Sequence, residues 1–288
     1  MRPLDDISFF AMAVQAASAV VAADTADAAV RPESRSALLS HGDRTARAVL
    51  LLHGYTHGPQ QMDALARDFH ARGYNVWIPR MPNHGTNDPQ ASHRGSVRDL
   101  ISYASKGLDI AAGLGDEIGV VGISAGGILA AWLAQHRDDV VRRLLLLSPF
   151  FGPASPKLPG PAVRLLSFGY ARGLLPDRRT SRGYSLAAVG RYLSIAQTLR
   201  TPPRPSGLRS IAMAISSLDD VVDTGAATSI PRRMAEAAGI PLHALALPEA
   251  LGIGHNTLAL AGRPDAGELL TRYVRLYEGM AAASRGDA

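Results

Sequence analysis

EIGVVGISAGGIL, residues 117–129, is the stretch that decides the fold of this chain. Its first half contains Ile118, Val120 and Val121, which are β-branched residues typical of a buried strand. Its second half continues into residues 128–136, which contain helix formers and no proline. Between the two halves, residues 122–126 match the pattern G-x-S-x-G. The stretch therefore predicts a strand, a tight turn at Ser124 and a helix.

Chemistry explains why this turn contains a serine between two glycines. A serine hydroxyl attacks well only when the turn lifts it out of the packed sheet towards a base. Such a turn brings together the residues two before and two after the serine, so Gly122 and Gly126 carry no side chain. The helix that follows directs free N–H groups at Ser124, and the Ala125 N–H is therefore a candidate oxyanion donor. The alternative interpretation is an ordinary strand-to-helix turn with chance glycines.

Composition predicts a globular protein with a sizeable core, because 47% of the 288 residues are apolar and 19% are charged. The chain contains no cysteine, which excludes disulfides, thiolate metal ligands and cysteine nucleophiles. A net charge of +5 and a pI near 9.8 suggest a nucleic-acid partner at first. No nucleic-acid motif accompanies that charge, and we predict no nucleic-acid partner.

Residues 1–35 are predicted to form an N-terminal helical segment. Residues 26–28 (ADA) resemble a signal-peptide cleavage site, but residues 1–6 carry two acids beside one arginine and lack a basic leader. We therefore expect an amphipathic helix that lies on the domain of a cytoplasmic protein, with export through an atypical signal as the alternative. No run is long and apolar enough to predict a stable membrane span.

Strands and helices alternate with short links through residues 36–150 and 210–288. This rhythm predicts an α/β fold with a mostly parallel, doubly wound sheet and helices on both faces. Residues 151–209 interrupt it with eight prolines, and we expect a lid insertion with short helices near 162–169 and 185–199. The insertion carries ten Lys and Arg residues and one acid, Asp177. These cations either attract anionic substrates or surfaces, or are simply solvated.

A second candidate element follows the apolar strand at residues 47–52. The loop His53-Gly54-Tyr55-Thr56 begins where such a strand ends, which is where ligands meet open α/β sheets. The Tyr55 N–H is a candidate second oxyanion donor, and Gly54 would permit a close approach. His53 and His57 have a spacing that can bind metal on a helix, but here they flank a glycine in a loop, so we predict no metal site.

Together these residues resemble the α/β-hydrolase family of the esterase/lipase type. The resemblance extends over about residues 38–277 and depends on the loop at 51–56, the turn at Ser124, the loop Asp219-x-x-Val222 and His255 after Gly254. The family order of serine, acid and histidine implies the catalytic residues Ser124, Asp219 and His255. Small carboxylesterases and monoacylglycerol lipases have lids of similar size.

The resemblance also implies a role for each residue. His255 would take the proton of Ser124, and Asp219 would orient the imidazole. The backbone N–H groups of Tyr55 and Ala125 would hold the oxyanion, each lowering the barrier by about 3 kcal/mol. Rival residues remain for two roles. Asp220 and Asp223 compete for the acid, and His243, which we interpret as a core histidine of the last strand, competes for the base.

A serine at this turn implies an acyl-enzyme, and therefore esters, thioesters or amides as substrates. We predict hydrolysis of small-molecule carboxylic esters without a cofactor, and the two interpretations of the basic insertion leave open whether these esters are anionic. An amidase or aminopeptidase and a thioesterase on the same scaffold remain alternatives, as does a non-catalytic ligand receptor. Aminopeptidases of this type place an acid in the lid, where this chain offers only Asp177.

Overall fold

One seven-stranded sheet forms the centre of the protein in the computed structural model, which describes residues 4–154, 160–180, 183–199 and 207–280. The strands are β1 (Ala37–Leu39), β2 (Thr45–Leu52), β3 (Asn75–Ile78), β4 (Gly115–Ile123), β5 (Val141–Leu147), β6 (Ser210–Ser216) and β7 (Leu242–Leu247). Their order is β1-β3-β2-β4-β5-β6-β7, and β1 pairs antiparallel with β3 while the other pairs are parallel. The mostly parallel sheet is therefore confirmed.

Helices cover both faces of this sheet, as the alternating pattern predicts. They are α1 (Leu4–Ala26), α2 (Asp63–Ala71), α3 (Val97–Leu114), α4 (Ala125–His136), α5 (Gly160–Ala171), α6 (Leu186–Thr198), α7 (Thr224–Ala238) and α8 (Ala266–Tyr277). One apolar layer contains buried residues of α3, α4 and α7, and the opposite layer contains those of α2 and α8. The carboxyl ends of β2, β4, β6 and β7 lie at one edge of the sheet, so the loops that follow them meet there.

The N-terminal helix α1 packs along α3, but it differs from the expected amphipathic helix. Its contact surface consists of small residues, since Ala13 and Ala17 are buried. Phe9 and Met12 are 58% and 61% exposed, so large apolar side chains lie on the outer side as well. The segment Ser8–Ala26 has the length and mean hydropathy, 1.4, of a membrane-crossing helix, criteria that core helices and signal sequences also meet.

A buried ion pair attaches the end of α1 to the sheet. The Asp24 carboxylate accepts hydrogen bonds from Arg80 Nη2 at 2.7 Å and Nε at 3.0 Å. It also accepts from the backbone N–H and the hydroxyl of Ser36, at 2.8 and 2.6 Å. Arg80 in turn donates to the carbonyl of His84. The N-terminal helix therefore supports the loop that follows β3, at the same edge of the sheet.

Two helices, α5 and α6, lie in the described parts of the 151–209 segment, close to the predicted ranges 162–169 and 185–199. The basic residues of this segment differ in their contacts. Arg191 donates to the His93 carbonyl, Arg209 forms an ion pair with Glu117, and Arg178 and Arg179 are exposed. Lys157, Arg182, Arg200 and Arg204 lie outside the described residues. The interpretation of this segment as a lid stays a prediction.

Candidate active site

Ser124 occupies a strained turn between β4 and α4. Its φ is 54° and its ψ is −116°, a conformation that costs a non-glycine residue about 1–3 kcal/mol. The chain holds it there through hydrogen bonds from Ser124 N to the Leu147 carbonyl and from Phe150 N to the Ser124 carbonyl. A Cβ on Gly122 would overlap the Gly126 carbonyl, so the close approach expected of the two glycines is present.

Ser124, His255 and Asp219 lie in one line at the carboxyl edge of the sheet. His255 Nε2 is 2.8 Å from Ser124 Oγ, and His255 Nδ1 is 2.8 Å from Asp219 Oδ2. An ionised carboxylate only accepts hydrogen bonds, so Nδ1 carries the proton and Nε2 is left as an acceptor for the serine hydroxyl. The arrangement can therefore move the hydroxyl proton of Ser124 onto His255.

The structure distinguishes Asp219 from the two rival acids. Asp219 is buried, while Asp220 is exposed and Asp223 caps α7 by accepting from Ala226 N at 3.0 Å. Burial raises the pKa of Asp219, but the hydrogen bond and the electrostatic interaction with His255 outweigh burial. The pKa of Asp219 is therefore lowered from its ordinary value. The backbone N–H of Val221 also donates to this carboxylate. Asp219 is therefore an anion at neutral pH and faces the imidazole.

Ser216, the last residue of β6, is a positioning residue that sequence reasoning missed. Its hydroxyl donates to the carbonyl of Ile253 in the loop that carries His255, and it accepts from Leu218 N in the loop that carries Asp219. One buried side chain thus connects the two loops. A serine at the end of a strand matches no motif, so only the tertiary contact reveals this role.

Gln61 supports the loop that carries Tyr55, and it was also missed. Its side-chain oxygen accepts from Gly54 N at 2.8 Å, and its amide nitrogen donates to Asn256 Oδ1 at 3.2 Å. Gln61 therefore bridges the loop after β2 to the residue next to His255. Tyr55 and Ala125, the two predicted oxyanion donors, line the same cleft as Ser124.

His53 has a structural role in this loop. Its ring is fully buried, Nε2 accepts from Met81 N at 3.0 Å, and Nδ1 therefore donates to the Gly54 carbonyl at 2.9 Å. Burial holds the pKa of His53 well below its ordinary value, so the ring is neutral. Both nitrogens are occupied by the protein, which leaves none to pair with His57 as a metal ligand. Within the described part of the chain, no group of three or more His, Asp or Glu residues could hold a metal ion.

His243, the rival of His255 for the role of base, is not the core histidine that the sequence predicts. It lies in β7 at the edge of the sheet and is half-buried, so it is not a core residue. The terminal position of β7 in the strand order exposes part of that strand to solvent. It is His255, in the loop beyond β7, that lies against Ser124.

The cleft at Ser124 is narrow, with a volume of about 80 Å³. On one side it continues into a cavity of about 660 Å³, and the two share the residues Phe150, Tyr184, Val189 and Val221. Side chains of α5 and α6 such as Val163, Leu166 and Leu193 extend the apolar lining of this larger cavity. An apolar chain thus has room beside Ser124.

Comparison with known proteins shows which family and which relatives this chain is similar to. The family model described as the alpha/beta hydrolase fold matches residues 47–175. The thermostable monoacylglycerol lipase of Bacillus sp. (strain H-257) is 35% identical over 92 residues, or 32% of this chain and 36% of that lipase. The pyrethroid hydrolase of Sphingobium wenxiniae is 33% identical over 121 residues, or 40% of this chain and 42% of that hydrolase.

Among solved structures, the monoacylglycerol lipase of Paleococcus ferrophilus has a TM-score of 0.63 at 15% identity and covers 84% of this chain and 98% of its own. A soluble variant of the monoglyceride lipase of Saccharomyces cerevisiae has a TM-score of 0.62 at 11% identity, over 86% of this chain and 92% of its own. The matched part of the chain spans only about two fifths of the two curated relatives. The matched family model, the sheet order and the solved structures together show that the chain has the α/β-hydrolase fold.

Proposed function

We propose that this protein is a serine hydrolase that cleaves carboxylic esters through an acyl-enzyme, with Ser124, His255 and Asp219 as its catalytic residues. The observation that carries the proposal is the continuous line of two 2.8 Å contacts from Ser124 Oγ through His255 to Asp219. The relatives named as a monoacylglycerol lipase and a pyrethroid hydrolase support the same class of reaction.

The proposed reaction has two halves. Ser124 Oγ forms a bond to the ester carbonyl carbon while His255 Nε2 takes its proton, and Asp219 stabilises the imidazolium. The backbone N–H groups of Tyr55 and Ala125 bind the oxyanion. The C–O bond to the alcohol then breaks, and the alcohol leaves with the proton from His255. Water, activated by His255 in the same way, releases the acid from Ser124.

The apolar cavity beside the cleft favours substrates with an apolar acyl chain. Its volume of about 660 Å³ lies within the range of cavities that hold small-molecule ligands. Phe150 and Val221 line both the cleft and this cavity, so a chain that enters it would bring its carbonyl to Ser124. Monoesters of medium-chain acids are therefore the proposed substrates.

The aminopeptidase alternative loses support from the position of Asp177. Its carboxylate accepts from Ser185 Oγ at 2.8 Å and from Ala187 N at 2.9 Å, at the start of α6. The carboxylate is thus engaged in capping that helix. Asp177 does not line the cleft, where it would have to lie to bind the amine of a peptide substrate.

The decisive experiment compares Ser124→Ala with Ser105→Ala, a control on α3 that does not line the cleft. We expect Ser124→Ala to lose turnover of an aryl decanoate by several orders of magnitude and to lose labelling by a fluorophosphonate, since the hydroxyl is the nucleophile. Peptide mass mapping should place the label of the wild type on Ser124. Equal turnover by the two variants would refute the proposal.

A further inference from the structure

A second large cavity, with a volume of about 570 Å³, also adjoins the cleft. Thr56, His57 and Tyr184 line both this cavity and the cleft that contains Ser124. The two spaces are therefore neighbours. The apolar cavity meets the cleft through Phe150, Val189 and Val221 instead, with Tyr184 common to all three. The cleft thus connects an apolar cavity to a second cavity of different chemistry.

The second cavity is polar and basic. Two cations, Arg31 and Arg179, are among its lining residues, together with the side chains Asn83, Asn87, Ser92 and His93. Among the described residues that line it, the acidic one is Asp88. That carboxylate is already engaged, because Arg94 Nη2 donates to it at 2.9 Å and Gln90 N donates at 2.8 Å. Among the residues that line the cavity, two arginines therefore face one carboxylate that already has partners.

The two arginines reach the cavity from separate parts of the chain. Arg31 follows α1, and its backbone N–H donates to the Gly85 carbonyl at 2.9 Å, next to the bridge between Val30 and Thr86. Its Nε is buried without a hydrogen-bond partner, since the Glu33 carboxylate is 3.7 Å away. Arg179 belongs to the 151–209 segment and pairs through its backbone with Ser185. A buried donor without a partner favours an acceptor from a ligand.

The histidines of the cavity add polarity without adding charge. Burial lowers the pKa of His84 to about 4 and also lowers the pKa values of His57 and His93. The charge of Arg179 lowers the pKa of His93 further. These rings are neutral at neutral pH, so the positive charge of the cavity comes from the arginines.

We propose that this polar cavity binds an anionic group, such as a phosphate, on the alcohol portion of the ester. The inference rests on the proposed function, because it takes the ester carbonyl to lie at Ser124 and the acyl chain to fill the apolar cavity. The alcohol then extends past Thr56 and His57 towards Arg31 and Arg179. Guanidinium groups are well matched to phosphate, since two parallel N–H groups can donate to two oxygens.

Arg179 and its neighbour Arg178 differ in their position relative to the polar cavity. Both Arg178 and Arg179 are exposed and carry the same charge, but Arg179 lines the polar cavity and Arg178 does not. A general attraction of anions to this basic segment would depend on both residues alike. Of these two neighbours, a specific subsite depends only on Arg179, which makes Arg178 a matched control.

The test compares monodecanoylglycerol with monodecanoylglycerol phosphate, which share the acyl chain and differ in the charge of the alcohol. Arg31→Gln and Arg179→Gln should each lower kcat/KM for the phosphate ester about tenfold, the loss expected for a hydrogen bond to a charged group. Both should change the neutral ester less than about twofold, because its alcohol lacks the anion. Arg178→Gln should leave the ratio of the two esters unchanged.

Equal losses on both esters, or a loss in Arg178→Gln as large as in Arg179→Gln, would overturn the subsite while leaving ester hydrolysis intact. A second measurement keeps the subsite testable if the esterase proposal fails. Titration calorimetry of glycerol phosphate with the Ser124→Ala protein needs no turnover, and binding should weaken about tenfold on adding Arg31→Gln. Binding that is absent, or unchanged by that substitution, would exclude an anion subsite.

Discussion

Replacing Asp24 by alanine removes the buried acid that attaches the N-terminal helix to the rest of the domain. The side chain of Asp24 is 6% exposed and that of Arg80 is 15% exposed, so neither charge is well solvated. The carboxylate accepts four hydrogen bonds, two from Arg80 and two from Ser36. In the variant, Arg80 keeps its bond to the His84 carbonyl but loses its anion.

The expected loss of stability is large because a buried charge is left without its partner. Removal of one member of a buried ion pair costs about 3–5 kcal/mol. Since Arg80 retains one acceptor, we expect the lower end, about 3 kcal/mol of unfolding free energy. A domain is stable by about 5–15 kcal/mol, so the variant should remain folded but with a melting temperature lower by about 6–12 °C.

The assay is urea unfolding of the full chain, with Asp109→Ala as the matched control. Asp109 forms an ion pair with Arg137 at 2.9 Å, but its side chain is 60% exposed. A surface pair contributes about 0–1 kcal/mol, so the control should lose no more than that. A loss below about 1 kcal/mol in Asp24→Ala, equal to the control, would show that the pair has no structural importance.

The pH dependence of this effect follows from the pKa of Asp24. Burial raises the pKa of this carboxyl, but the hydrogen bonds from Arg80 and Ser36 outweigh burial and lower it from 3.8. A group whose pKa is lowered by folding stabilises the protein above its unfolded pKa and loses that contribution as the pH falls through its folded pKa. The difference between wild type and variant should therefore be constant from about pH 5 to 8 and shrink only below pH 3.8.

Two further predictions concern the site and the core. Asp219→Asn should lower kcat for an aryl ester about 10⁴-fold, because the amide no longer holds the His255 proton on Nδ1. A loss below tenfold would contradict the assigned role. Gly119→Ala should destabilise the protein by about 1–3 kcal/mol, because the added Cβ would overlap the buried ring of Tyr277. Gly267→Ala is its control in the same urea titration, since a Cβ on this α8 residue meets no atom within 4 Å, and an equal effect of the two would exclude overpacking as the cause.

Local patterns made the strand-turn-helix unit at Ser124 predictable from the sequence. The β-branched residues, the two glycines and the serine lie within ten positions, and each is required by the backbone geometry of its own neighbourhood. The helix predicted near residues 185–199 lies at Leu186–Thr198, because the side chain of Ser185 caps its start by accepting from Ala188 N.

Helix α7 shows where local patterns mislead. Within the alternating region, the sequence predicts a helix over residues 230–238. The helix instead begins at Thr224, where the Asp223 side chain caps it, and Pro231 lies in its interior. Packing of Ile230 and Met234 against the sheet offsets the cost of a proline within the helix.

The amino-acid sequence by itself determined the alternation of the sheet and helices, the position of the turn at Ser124 and the order in which the serine, acid and histidine occur. Only the tertiary structure decided that Asp219, and not Asp220, faces His255. It also decided that Arg179 lines a cavity that its neighbour does not. The physical reason is that periodicity and turn chemistry act between residues close in the chain, whereas which side chain points into a shared cleft depends on how distant loops pack against each other.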